Sequence, residues 1–154
     1  MSKYDKLRNL TINDIGLFTL NNRTSIGKII KIFNSTHFQM IIALNNVMFR
    51  FNCNLDYSVS SIDKPSVNRL VQLATDCKCD IDKVLSEDEL QTLINTNQKL
   101  LTVKCGNFDK EGNLLVELFD IEDKTTSIQS ILAEEGYILS YSYEPTELFK
   151  FNTL

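Results

Sequence analysis

The chain has no tryptophan, one histidine, two prolines and five glycines in 154 residues. With a single histidine there is little from which to assemble a catalytic triad, because a hydroxyl or thiol nucleophile needs a base beside it. His37 opens an apolar run with no cysteine or acid at metal-ligand spacing, which assigns it a structural or surface role. So few glycines leave no glycine-rich loop to cradle phosphates. The four cysteines, Cys53, Cys77, Cys79 and Cys105, include no C-x-x-C pair. They read as reduced thiols of an intracellular chain, with Cys77 and Cys79 sharing one face of a strand, and neither a metal nor another cofactor is expected. No stretch approaches the roughly 18 apolar residues of a membrane span, and Met1 to Lys6 lacks the apolar centre of an export signal. Lysine and arginine number 16 against 20 acids, a net charge of −4. That balance disfavours nucleic acid as a partner, since phosphate backbones are held by clustered cations.

What is present is a hydrophobic content of 43%, enough for one substantial core. From Ile15 to Leu55 the chain reads as short strands over 15–20, 27–33, 38–44 and 47–55. Asn21-Asn22 and Asn45-Asn46 supply turn residues tolerant of positive φ. The last of these strands alternates, with Phe49, Phe51, Cys53 and Leu55 on one face and Met48, Arg50, Asn52 and Asn54 on the other. Four such strands suggest a small barrel.

The second half mixes helices and strands. A short helix is expected over Pro65 to Leu73 and a strand over Ala74 to Ile81. Ser86-Glu87-Asp88-Glu89 is a capping box that starts a helix carrying Leu90, Leu93 and Ile94 at helical spacing. Leu100 to Cys105 and Asn113 to Phe119 read as a hairpin closed by Asp109-Lys110-Glu111-Gly112. Thr126-Ser127-Ile128-Gln129 reads as a second capping box, with Gly136 to end its helix. The aromatic tail, Tyr137 to Phe151, is expected to pack back as a strand. Acid runs at Glu87-Asp88-Glu89, Asp120-Glu122-Asp123 and Glu134-Glu135 fall in loops or at helix ends, where acids serve solubility and the helix dipole.

The order of barrel strands, Ala74-x-x-Cys77, a capped helix, Leu100 to Cys105, Gly112-Asn113-Leu114-Leu115-Val116-Glu117-Leu118-Phe119-Asp120 and Leu132-Ala133-Glu134-Glu135-Gly136 resembles the extended Tudor family over about Ile15 to Ile138. The resemblance implies a mixed, β-rich α+β chain in which a Tudor SH3-like barrel (15–62) joins a partial staphylococcal-nuclease-like, OB-type half (63–154). Residues 1–14 would be a remnant of the linking helix. The aromatic tail would stand in for a missing strand.

Extended Tudor domains read methylated arginine through a box of rings, since a flat, delocalised cation stacks on π faces. The family's box positions correspond here to Thr19, Ser25, Ile42 and the Leu44-Asn45-Asn46-Val47 turn, and none is aromatic. The resemblance therefore implies a non-catalytic scaffold that binds an unmodified peptide, an arginine-containing Argonaute/Piwi-class tail of the piRNA pathway, in cytoplasmic germ granules. Ile42, Val47 and Phe49 would form an apolar floor, and Asp120, Glu122 and Asp123 would pair with arginines. Two other readings stand beside it: a methylarginine reader with a rebuilt cage, and a self-association domain with no peptide ligand.

Overall fold

A computed structural model describes residues 4–14, 18–56, 58–60 and 66–140. The elements run α1 (Asp5–Arg8), β1 (Thr24–Ile32), β2 (His37–Leu44), β3 (Val47–Leu55), β4 (Ser58–Ser60), α2 (Ser66–Ala74), α3 (Glu87–Thr96), β5 (Leu101–Phe108), β6 (Leu114–Asp120), α4 (Ile128–Glu134) and β7 (Ile138–Ser140). The chain is a mixed, β-rich protein built on a closed five-stranded barrel in the order β1-β2-β3-β6-β5, with β4 and β7 forming a separate two-stranded sheet.

β1, β2 and β3 form an antiparallel meander. Its second turn is fixed by Asn45 and Asn46, at φ 51° and 67°. Paired positive φ values match the right-handed twist of the flanking strands, and asparagine tolerates them at little cost. β3 then meets β6 in parallel through three registered pairs, Cys53↔Leu114, Asn54↔Leu115 and Leu55↔Val116. β5 closes the barrel by pairing antiparallel with both β6 and β1.

Alternation decides what fills the barrel. Phe38, Met40, Ile42 and Leu44 point inward from β2, and Leu114, Val116 and Leu118 point inward from β6; all are buried. Leu70, Val71 and Ala74 of α2, Ile94 of α3 and Leu132 of α4 join the same core. α3 packs on β1, and α4 packs on α2, β6 and β7.

The barrel takes three strands from before residue 62 and two from after it. The closed barrel therefore extends beyond residues 15–62. Of the expected first strand, 15–17 lie outside the described residues, and Phe18 to Leu20 belongs to no strand. The cause is the turn at Asn22, φ 68°, whose N–H donates to the Cys105 carbonyl at 2.8 Å. That bond delivers the chain beside β5, and β1 begins only at Thr24.

In place of the expected strand over Ala74 to Ile81, Ala74 ends α2 and Thr75 to Ile81 is a loop. Its carbonyls are satisfied by side chains rather than by a neighbouring strand: Asn68 donates to Asp80, Ile81 and Lys83, and Gln72 donates to Cys79. The helix expected over 65–73, the capped helix at Ser86 and the hairpin around Gly112 are all present. α4 is capped by Ser127, whose hydroxyl accepts from the Ser130 N–H, and not by Thr126. Gln129 turns inward to accept from the Leu118 N–H. α1 falls within the stretch expected as a helical remnant. Tyr137 to Ser140 is described, β7 covering Ile138–Ser140, and the rest of the aromatic tail lies outside the described residues.

Candidate functional site

Of the residues expected to form the peptide seat, Ile42, Leu44, Asn45, Val47 and Phe49 lie together along the β2–β3 hairpin, where Ile42 pairs with Phe49 and Leu44 with Val47. Ile42 is fully buried and Leu44 is nearly so, because their strand positions face the barrel interior. Thr19 is exposed beside the Asn22 turn, where its hydroxyl accepts from the Asn21 N–H. Ser25 is half-buried opposite Val103. Asn45 accepts from the Arg23 guanidinium at 2.6 Å. Val47 and Phe49 are exposed; as register partners of Leu44 and Ile42 they point to the same face of the sheet, where Ile42 itself is covered. Among the acids, Asp120 is already paired with Lys99 at 2.6 Å, which holds its carboxyl below the usual range. Glu122 and Asp123 are exposed, and Asp123 is tied to its own loop by the Thr125 hydroxyl and N–H.

The structure assembles other surfaces. The first is a trough between the loop after β1, the N-terminal end of α2, the 82–86 loop and α3. It consists of three adjoining depressions of about 360, 380 and 250 Å³. Lys83 and Leu85 are common to the first two, and Phe33 and Leu90 to the last two. Its floor is apolar: Phe33, Val67, Val84, Leu85, Leu90 and Leu93. Val84, 93% exposed, and Phe33, 46% exposed, are the most open of these side chains, and Val67, Leu85, Leu90 and Leu93 are half-buried. Asp82, Glu87, Asp88 and Glu89 stand at the rim. Glu89 is engaged with Lys83 at 3.8 Å, whereas Asp82, Glu87 and Asp88 make no ion pair among the described residues. The walls are anchored by the Ser86–Glu89 capping box, by Asn68 under the 80–83 loop and by Gln91, which donates to the Ile30 carbonyl at 2.7 Å.

A second surface is an apolar groove on the outer face of β1, β2 and β3, lined by Ile26, Ile41, Ala43, Met48 and Leu100. A third is a row of rings on β3 and β5, with centroids 6.3 Å apart for Phe49–Phe51 and 6.2 Å for Phe51–Phe108. A polar cluster joins the β5–β6 turn to β3. Asn54 and Asn113 both donate to the Asp109 carboxylate, at 2.9 and 3.2 Å. Partial burial pushes Asp109 up, but the bonds from Asn113 and Asn54 more than reverse this and hold it low. Its acceptor sites are used by the turn itself.

Among the described residues, no group of three or more His, Cys, Asp or Glu converges as a metal site. No described helix is long and apolar enough to cross a membrane. No protein-family model, curated protein or solved structure matches the chain.

Proposed function

We propose that the chain is a non-catalytic protein-interaction module that holds an unmodified, arginine-bearing peptide in the trough beside α3. One observation carries this reading: a partly exposed apolar floor rimmed by three carboxylates, Asp82, Glu87 and Asp88, that make no ion pair among the described residues. Apolar side chains of the peptide anchor on Leu85 and Leu90, and its guanidiniums meet the rim in charge-assisted bonds. Phe33 is the single ring among the described residues of the trough, and Lys31 already lies over it at 5.3 Å. One occupied ring gives a methylated guanidinium no advantage over a plain one.

We read the barrel as OB-type, because its first three strands meander and its third and fifth run parallel. Such barrels often take oligonucleotides on the face of their second and third strands. Here that face carries a closed Gln39–Asn52 amide pair and Arg50, on a chain of net charge −4, which favours a peptide over phosphates. An Argonaute/Piwi-class tail and a germ-granule setting are part of the proposal and rest on the extended Tudor resemblance.

The test is a titration of one arginine- and leucine-containing peptide in plain and dimethylated forms. Equal affinities are expected, with at least a tenfold loss for both in the D82N/E87Q/D88N variant. A tenfold preference for the methylated form, about 1.4 kcal/mol, would overturn the reading. That outcome belongs to a second reading, a rebuilt cage, which the Phe49–Phe51–Phe108 row favours; F49A/F108A would then abolish the preference.

A further inference from the structure

The groove on the outer face of the β1–β2–β3 sheet serves neither the trough nor the barrel core. Alternation turns Ile26 and Lys28 outward from β1, Ile41 and Ala43 from β2, and Met48 and Arg50 from β3. The register then stacks Lys28 against Ile41, Ile41 against Arg50, and Ala43 against Met48. Ile26, Met48 and Leu100 are 48%, 66% and 54% exposed around a depression of about 220 Å³. A regular sheet face of this kind has no structural need for three large apolar side chains in water.

Charge selects the occupant. Lys28 and Arg50 flank Ile41 on either side, and no acid lines the groove. Lys99, next to Leu100, is already neutralised by Asp120. This margin is basic on a molecule whose net charge is −4, so it draws acids to one place on the surface. Two cations are too few to track a nucleic-acid backbone, and a concave floor suits a protruding side chain better than a flat bilayer surface. We infer that this groove is a second docking site, taking an acidic peptide segment that sets aliphatic side chains between Met48 and Leu100 and carboxylates on Lys28 and Arg50.

The experiment uses the full chain and a fluorescein-labelled decapeptide of glutamate and leucine, read by anisotropy. A lysine-and-leucine peptide and vesicles of phosphatidylcholine with one-quarter phosphatidylserine serve as comparisons. Binding of the glutamate peptide is expected, at least tenfold weaker in K28E/R50E and in M48S/L100S, and unchanged in D82N/E87Q/D88N. All four altered side chains of the first two variants lie on the outer face, and an unchanged far-UV spectrum checks that the barrel persists. Failure to bind, equal binding of the lysine peptide by D82N/E87Q/D88N, in which the trough rim is neutralised, indifference to both groove variants, or vesicle binding in place of peptide binding would each overturn the proposal. None of these outcomes bears on the trough, whose own test uses an arginine peptide.

Discussion

Asp56 follows β3 directly, and its N–H donates to the Val116 carbonyl at 2.9 Å, on the seam where β3 meets β6. Burial, then the Glu117 carboxylate, push its pKa from 3.8 to about 6, and Lys104 only partly opposes them. A folded-state pKa above the unfolded value means that the folded state holds the proton longer. The associated stability is complete below about pH 4 and is lost as the pH rises through 6. The two-unit shift corresponds to at most about 3 kcal/mol, and solvent at the half-buried carboxyl reduces this to about 1 kcal/mol. D56N is therefore expected to unfold at a higher urea concentration than the parent at pH 7.5. The difference should vanish at pH 4, and urea midpoints at the two pH values measure it. Glu117 and Lys104 come from β6 and β5, far along the chain, so nothing in the local sequence around Asp56 discloses its state. Ile42 depends on the whole fold in the same way: it is legible as an apolar strand residue, but which way it points is set by the closed barrel.

Helix α3 shows how much a short motif can establish alone. In the Ser86–Glu89 box the hydroxyl accepts from the Glu89 N–H at 3.1 Å and the Glu89 carboxylate faces the Ser86 N–H, as the spacing predicted. S86A is expected to lower stability by about 1 kcal/mol, measured by thermal unfolding. It should also weaken peptide capture in the trough, whose walls α3 supplies. The neighbouring loop shows the limit of local reading. Residues 75–81 carry Cys77 and Cys79 at strand spacing, yet among the described residues no strand pairs with them. Asn68, buried in α2, takes three loop carbonyls instead, and such a side-chain contact leaves no periodic trace. At α4, Thr126 and Ser127 are equivalent caps by composition, and packing of Ile128 and Gln129 into the core selects Ser127.

Closure of the barrel joins strands from both halves of the described chain into one core, and a Cβ at Gly27 would meet backbone at close range. Gly27 pairs with Ile42 on one side and Leu101 on the other. A Cβ there would lie 2.7 Å from the Ile41 carbonyl oxygen and 3.3 Å from a Val103 methyl. Backbone cannot yield as a side-chain tip can, so G27A is expected to cost about 2 kcal/mol. A urea-unfolding series would show it as a lower midpoint with an unchanged slope. Period-two alternation, asparagine turns and capping residues act over a few positions, and they were enough to reveal strands β2 and β3, the β5–β6 hairpin, helices α2 and α3 and a β-rich class. Pairing of β3 with β6, the entry of β5 beside β1 and the position of every surface groove depend on contacts between segments some sixty to eighty residues apart. Those contacts are chosen by the free energy of burying one shared core, a property of the folded chain that no local stretch contains.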